Sequence, residues 1–367
     1  QELKHAPYLF MLGIGEFKVV KDYYTRPDGS KMEVFYYVEP EWEQYAKDIF
    51  GETPRMIRHF SDLLGVEFPW DKYHQIVVRD YVSGAMENTG AVVFGDFVYK
   101  TRQELIDANE ESIIAHELFH HWFGDLVTAE SWSNLAMNEA FANYSQYLWD
   151  EFKYGKDHAD FNAAKEEAGY FQQAQGSGHH DLVWYDYDSR EEMFDAHTYN
   201  KGGRILHMLR NYVGDEAFFL SLKKYLTDNA YKAAEHNHLR LALEEVTGED
   251  LNWFFNQWFL DKGHPVLDYS YTQNGDTLYV NAKQKQKLGE FPIYKLPHVI
   301  AVKDEAGLKQ HKFTLSSLDA TFAIATTGTV ETIIADFDEV LLGTLKENKT
   351  ADMFVNQYYV GTNWRTR

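Results

Sequence analysis

No cysteine occurs among the 367 residues of this chain. Disulfide bonds and thiolate zinc sites are therefore excluded, and any bound metal must have nitrogen and oxygen ligands. The sequence also lacks an apolar run of the roughly 18 residues that a transmembrane helix needs, so no transmembrane segment is predicted. We find no signal-peptide pattern at the start, and because the chain begins with Gln1 rather than Met, we expect a processed or shortened product. The location stays open, with export to the periplasm or medium favoured over the cytoplasm.

Positive charge is scarce. The 35 Lys and Arg residues are outnumbered by 57 Asp and Glu residues, and the formal net charge is −22. Nucleic acid is therefore not expected as a partner, because a polyanion would be repelled. An acidic surface can attract cationic ligands such as peptide amino groups, although solvation alone accounts for most of this charge. The oligomeric state is not indicated.

Apolar residues, at 44% of the chain, are sufficient for the cores of two or three domains. Residues 1–40 read as strands that lead into a domain at 41–262, which is mostly helical but contains a small sheet. Residues 263–346 alternate in strand fashion and predict a β-sandwich, and the tail 347–367 has no clear pattern. The fold class is therefore α+β. The individual strands predicted before the helices are 8–13, 17–20, 32–38, 75–78 and 91–94, and the helices are 103–124, 133–152, 160–174, 201–213, 215–229, 238–247 and 250–261.

A His-Glu-x-x-His pattern lies in the first of these helices, at His116, Glu117 and His120. Positions four apart share one face of a helix, so the two histidines can bind one ion. Glu117 projects near that face, where a carboxylate can act as a general base on water. Any five-residue pattern also occurs by chance, so the prediction of a metal site depends on finding a third ligand.

Glu139 is the candidate third ligand. A hydrolytic zinc site keeps three protein ligands and an open position. Helix 133–152 follows helix 103–124 after a short turn, and an antiparallel hairpin would bring Glu139 towards the histidines. The alternative is a surface carboxylate, but the apolar neighbours of Glu139 predict a buried helix, where an unpaired carboxylate is costly. One Zn²⁺ per chain, bound by His116, His120 and Glu139, is the prediction.

The same pattern followed by Glu139 after eighteen residues resembles the gluzincin zinc peptidases. Three further runs are similar to the aminopeptidase N-like family: Gly-Ala-Met-Glu-Asn at 84–88, the sequence at 120–128, and Tyr-Asn-Lys-Gly at 199–202. The resemblance covers roughly residues 5–345. It implies a thermolysin-like catalytic domain followed by an all-β sandwich, and a zinc-dependent aminopeptidase that uses activated water to hydrolyse the N-terminal residue from peptides.

The resemblance also implies roles for individual residues. Glu117 would be the base and acid, and Tyr199 would donate a hydrogen bond to the oxyanion. Glu87 would bind the free α-ammonium group of the peptide. The remaining substrate-binding residues would be its neighbours Gly84, Ala85, Met86 and Asn88. The alternatives are a thermolysin-like endopeptidase and a catalytically weak binding or scaffold fragment of a longer aminopeptidase.

Several positions depart from the family pattern. His121 stands where the family usually has Gln, and Asp125 where it usually has Asn; we interpret His121 as a second-layer or surface residue. His179 and His180 lie in a Gly-rich loop with no third partner nearby in sequence, which favours a surface loop over a second metal site. Only about forty residues precede the catalytic helices, so we expect most of the family's amino-terminal β-domain to be missing and substrate anchoring to be weakened.

Overall fold

The computed structural model describes residues 3–363 and 366. A mixed sheet lies at the amino-terminal end, with strand order β1-β2-β3-β5-β4. Two helices, α1 (Ala46–Phe50) and α2 (Thr53–Leu64), connect its second and third strands. Pro54 lies in the first turn of α2, where its missing N–H has no intrahelical partner to lose. The strands are β1 (Lys18–Thr25), β2 (Lys31–Val38), β3 (His74–Val78), β4 (Ala85–Met86) and β5 (Ala91–Gly95).

The predicted strand at 8–13 is wrong. Pro7–Leu9 form a single 3₁₀ turn, and the residues after it are irregular. Phe10 and Leu12 are exposed, although a short apolar run of this kind is typical of a strand. Such a run forms a strand only where a neighbouring strand pairs with it, and among residues 3–363 this run has no such neighbour.

The centre of the chain is helical, as predicted, but the first predicted helix is divided. Its range of 103–124 contains two helices, and Asn109 forms a turn just before the second, where its Oδ1 atom accepts a hydrogen bond from the Glu111 N–H (3.1 Å). A short parallel pair of strands, which the sequence did not predict, joins β6 (Val127–Ala129) to β7 (Lys232–Ala234). The helices are α3 (Glu104–Asp107), α4 (Glu111–Phe119), α5 (Ala136–Tyr154), α6 (Lys156–Gly176), α7 (Gly202–Val213), α8 (Asp215–Asp228), α9 (His236–Thr247) and α10 (Asn252–Trp258).

Two glycines allow α7 to cross close to α5. A Cβ atom at Gly202 would lie 2.5 Å from the Ala140 Cβ atom, and one at Gly203 would lie 2.8 Å from the Asn143 amide nitrogen. The π-helical turn His197–Lys201 leads directly into α7. The close approach therefore holds this turn beside α5.

Two sheets follow the helices, with strand orders β12-β9-β8-β14 and β11-β10-β13. Their buried faces meet where the Tyr269 hydroxyl group and the His298 Nε2 atom are 2.8 Å apart. The tail, for which no pattern was predicted, includes the helix α11 (Ala351–Val360). The strands are β8 (Val266–Asn274), β9 (Thr277–Gln284), β10 (Leu296–Asp304), β11 (Gly307–Leu315), β12 (Asp319–Ala325), β13 (Thr332–Ala335) and β14 (Thr344–Asn348).

The predicted α+β class is confirmed by this succession of a small sheet, a helical region and two further sheets. The domain boundaries at residues 40, 262 and 346 stay predictions. Within the part of the chain that the structure describes, no helix combines the length and apolar character needed to cross a membrane.

We expect Gly202→Ala to destabilise the protein by about 1–3 kcal/mol, because the added methyl group would overlap Ala140 at the crossing of α5 and α7. Urea unfolding at equilibrium measures the change. Gly176→Ala is the matched control: its Cβ atom would meet no atom of the described chain within 4 Å, and the helical backbone gains roughly 0.5–1 kcal/mol from alanine. A Gly202→Ala protein as stable as the wild type would contradict the tight crossing.

Candidate active site

Helices α4 and α5 bring together the three predicted metal ligands. The Nε2 atoms of His116 and His120 lie 3.3 Å and 3.2 Å from the Oε2 atom of Glu139. His116 is in the last turn of α4 and His120 immediately follows it, while Glu139 is in the first turn of α5. All three side chains are buried. The three ligand atoms therefore meet at one point as predicted, although residues 120–135, which contain β6, replace the short turn expected between the two helices.

The geometry of these atoms fits a zinc ion. Zinc–ligand bonds of 2.0–2.1 Å in a tetrahedron place neighbouring ligand atoms about 3.3 Å apart, close to the two separations between the histidines and Glu139. The Nδ1 atom of His120 lies 3.0 Å from the Phe123 carbonyl oxygen, which can only accept a hydrogen bond. Nδ1 therefore carries the hydrogen, and the lone pair of Nε2 is directed to the ion position, as in most histidine ligands.

Gln146 contacts the other histidine. Its amide nitrogen lies 3.1 Å from the His116 Nδ1 atom and orients that ring from behind. With the amide turned by 180°, its oxygen accepts the Nδ1 hydrogen and leaves Nε2 free for the ion. Gln146 is on α5, two turns after Glu139, and the two residues lie on the same side of the helix. Gln146 was not predicted as a site residue, although helical periodicity from Glu139 points to this position.

Glu117 lies beside this triad. One oxygen of Glu117, one of Glu87 and one nitrogen of His120 all lie within 4.8 Å of one another. Burial is the main reason why the pKa of the Glu117 carboxyl group is well above its usual range, and the nearby Glu87 and Glu139 carboxylates raise it further. A carboxyl group with a raised pKa can both take and return a proton near neutral pH.

The site carries an excess of negative charge. Burial by itself would lower the pKa of His120, but the surrounding carboxylates, Glu87 and Glu139 foremost, raise it well above its usual value. Asp125 adds another buried carboxyl group, and burial raises its pKa. Protons on the carboxyl groups or cationic partners relieve the repulsion between these like charges, which is strong away from water. A metal ion and an ammonium group are both partners of this kind.

Glu87 directly follows β4, which lies at the edge of the five-stranded sheet. The predicted loop at 83–90 therefore contains a two-residue strand, in which Ala85 pairs with Phe94 and Met86 with Val93. An edge strand leaves one row of backbone groups available to an extended peptide. Gly84 is exposed at its start, and the carbonyl group of Gly84 accepts a hydrogen bond from the Gly95 N–H (2.9 Å).

Two contacts connect this strand to the amino-terminal residues. The side-chain amide of Asn88 donates a hydrogen bond to the Leu9 carbonyl oxygen (3.2 Å). The Tyr8 hydroxyl group donates to the Glu87 Oε1 atom at 3.4 Å. Tyr8 was not identified as a site residue, and no pattern in the sequence pointed to it, because 79 residues separate it from Glu87.

Tyr199 approaches the triad from the π-helical turn. Its ring is nearly parallel to that of His116, with centroids 5.9 Å apart and an interplanar angle of 11°. Burial raises the pKa of the Tyr199 phenol far above its usual value, and the carboxylates of Glu139 and Glu87 add to the effect. The phenol therefore keeps its proton at neutral pH and is available as a hydrogen-bond donor.

His121 is fully buried, so the surface interpretation is wrong, while the second-layer interpretation stays a prediction. The Gly90 N–H donates to its Nε2 atom (3.0 Å), and its Nδ1 atom lies 3.2 Å from the Glu117 carbonyl oxygen. Burial lowers the pKa of His121 to about 3, so the ring is neutral at physiological pH. This neutral ring links the backbone of α4 to the segment after Glu87.

Comparison with known proteins supports a relationship over most of the chain. Residues 49–258 match the Peptidase family M1 domain. The sequence is 30% identical over 324 residues to the Tricorn protease-interacting factor F2 of Thermoplasma acidophilum, covering 83% of this chain and 39% of that protein. It is also 30% identical over 324 residues to the aminopeptidase N of Streptomyces lividans, covering 86% of this chain and 37% of that protein.

The fold is similar to that of Legionella pneumophila aminopeptidase A, solved in complex with aspartic acid. The TM-score is 0.81 at 20% sequence identity, over 96% of this chain and 41% of the other. The chain thus spans about two fifths of the length of the relatives it matches. Because the matched domain makes up more than half of the sequence, this chain belongs to peptidase family M1, whose members are zinc metallopeptidases.

Proposed function

We propose that this chain is a zinc-dependent aminopeptidase that removes the N-terminal residue from peptides by hydrolysis. The observation that carries the proposal is the position of Glu87, whose carboxylate lies beside His120 and Glu117 at the end of an edge strand. A carboxylate at this point can hold the ammonium group of a peptide that extends along the strand. The substrates would be peptides with a free N-terminus.

His116, His120 and Glu139 would hold one Zn²⁺ ion, since their three ligand atoms have the chemistry and spacing of a tetrahedral site. When bound, zinc supplies Lewis acidity, which polarises a carbonyl group and makes water a better nucleophile at neutral pH. Proton transfer and stabilisation of the developing negative charge would be carried out by side chains of this protein.

Glu117 would accept the proton of the attacking water and transfer it to the nitrogen of the leaving amine. Its carboxyl group is close to the ligands without being one of them, and burial raises its pKa towards the range in which both transfers are efficient. The phenol of Tyr199 would donate a hydrogen bond to the carbonyl oxygen as negative charge develops there. A donor of this kind is worth roughly 3–4 kcal/mol in the transition state.

Glu87 would decide which end of the peptide is cut. Its carboxylate is buried, and the Tyr8 hydroxyl group limits its rotation. An ammonium group placed against Glu87 would also lie in the field of the Glu117 and Asp125 carboxyl groups, which share the same buried region. An acetylated amine carries no charge to compensate these groups, and a peptide that continues upstream would meet Glu87.

We expect Glu117→Gln to keep its zinc and to lose essentially all turnover, a fall of at least about 10²–10⁴-fold in kcat, because the amide cannot transfer protons. Metal analysis and an aminoacyl-amide assay on the same sample measure both quantities. Glu130→Gln, at an exposed glutamate, is the control and should match the wild type. Near-normal turnover of Glu117→Gln would exclude the mechanism, and loss of zinc would make Glu117 a ligand instead.

N-acetylated peptides should resist cleavage. Loss of one partner of a buried charge pair costs about 3 kcal/mol, so we expect kcat/KM to fall about 100-fold relative to the free peptide. Glu87→Gln should lower kcat/KM for the free peptide by a similar factor and leave the acetylated peptide almost unaffected. Equal cleavage of both peptides by the wild type would favour a thermolysin-like endopeptidase.

A further inference from the structure

A second group of metal-ligating side chains lies outside the active site. It consists of His180, Asp195 and His197, which we call the histidine cluster. The Nε2 atom of His180 and the Nδ1 atom of His197 lie 2.9 Å and 2.8 Å from the same Oδ2 atom of Asp195. His180 comes from the loop after α6, whereas Asp195 and His197 are at the start of the π-helical turn. The segment is a loop, as predicted, but His180 is only partly exposed and contacts a partner from another part of the chain, which the sequence did not indicate.

The hydrogen bonds of His180 leave a specific electrostatic problem. Its Nδ1 atom lies 2.7 Å from the Asp181 carbonyl oxygen, which can only accept, so Nδ1 carries the hydrogen. In a neutral imidazole, Nε2 then has a lone pair, and this lone pair faces a carboxylate oxygen of Asp195. Two acceptors at this distance repel each other. A cation between them, or a second proton on the ring, removes the repulsion.

The same arrangement occurs at the candidate zinc site. The Nδ1 atom of His120 donates to the Phe123 carbonyl oxygen, and its Nε2 atom faces the Oε2 atom of Glu139 at 3.2 Å. In both places a backbone carbonyl selects the tautomer, and the free nitrogen is directed at a carboxylate that a second histidine also approaches. This is the arrangement by which proteins prepare histidine for a metal.

The neighbours of Asp195 hold its carboxylate in an orientation that suits a metal ligand. Its Oδ1 atom accepts the N–H groups of His197 (2.9 Å) and Thr198 (3.1 Å), so the carboxylate is held by the backbone of the π-helical turn. The Gln173 amide donates to Oδ2 at 2.5 Å and orients that oxygen towards the cluster. Trp184 stacks on the ring of His180, with centroids 4.3 Å apart, and limits its rotation.

We propose that the histidine cluster is a second divalent-metal site, which takes Zn²⁺ through two imidazole nitrogens and one carboxylate oxygen. This ligand set suits zinc, with water completing the coordination. His180 and Asp195 each keep 12% of their side-chain surface exposed, which allows an ion to enter. The contacts of 2.9 Å and 2.8 Å are roughly 0.4–0.5 Å shorter than a tetrahedral edge of about 3.3 Å, so binding requires the His180 loop and the His197 ring each to move away from Asp195 by a few tenths of an ångström.

The ion would connect the His180 loop to the π-helical turn that carries Tyr199. Asp195 and His197 precede Tyr199 by four and two residues. A metal at the cluster would fix the start of this turn and therefore the direction of the phenol, a consequence that rests on the proposed function. The binding of the ion does not depend on any activity.

The test is the zinc content of the full chain after removal of metal with a chelator, reconstitution with Zn²⁺ alone and exhaustive dialysis. We expect two ions per wild-type chain and one in His180→Gln, where the ligand nitrogen is lost. His179→Gln is the matched control: it removes the neighbouring imidazole, which lies outside the cluster, and should keep two ions. His116→Gln removes an active-site ligand and should keep one ion, at the cluster.

One ion in the wild type, with the same content in His180→Gln, would overturn the proposal, and a second proton on His180 would then explain the contact with Asp195. Two ions in both proteins would also overturn it, because the second ion would be elsewhere. If His116→Gln keeps two ions and His180→Gln keeps one, the assignment of the active-site ligands fails and the histidine cluster stands. Should His180→Gln not fold, the count in the wild type and in His116→Gln still decides.

Discussion

The structure depends on one electrostatic constraint, which is the burial of several carboxyl groups around two imidazole rings. Glu87, Glu117 and Glu139 are all buried within reach of His120. Removing such charges from water costs several kcal/mol for each ion unless opposite charge compensates them. Neighbouring groups orient these side chains, as the Phe123 carbonyl oxygen orients His120. They do not neutralise the negative charge of the carboxylates, which a cationic ligand can do. The affinity of the site for cations follows from this negative charge that the protein leaves unpaired.

Helices α4 and α5 and the segment after β4 carry the charged groups of the site, and these elements pack closely against their neighbours. Helix α5 approaches α7 at Gly202, which brings the π-helical turn with Tyr199 to the side of Glu139. Glu87 directly follows the edge strand β4, which belongs to the amino-terminal sheet. His121 connects the two sides, since its ring bonds both the Gly90 N–H and the backbone of α4. Hydrogen bonds from a side chain to the backbone at His121 thus hold the site together with the side-chain contacts of Gln146 and Tyr8.

The three metal ligands could be predicted from the sequence because they lie close together along the chain. The spacing of His116 and His120 is a property of one helix. Glu139 lies on the next helix along the chain, where its apolar neighbours already predicted burial, although the connection between α4 and α5 is longer than expected and contains β6. Tyr199 and Glu87 required the resemblance to a family, because no periodicity links them to the helix. The strand predicted at 8–13 failed for the converse reason: an apolar run is a local property, whereas strand pairing needs a neighbouring strand.

The sequence by itself determined the kinds of donor available, nitrogen and oxygen without sulfur, and the pair of histidines on one helical face. It also determined the acidic character of the chain and the order of helical and β regions. Only the tertiary structure decided that Tyr8 reaches Glu87, that β4 forms an edge, and that His180 meets Asp195 and His197. These contacts join residues from separate elements, 15 apart for His180 and Asp195 and 79 apart for Tyr8 and Glu87. Their distances depend on how the elements pack, which no local pattern encodes.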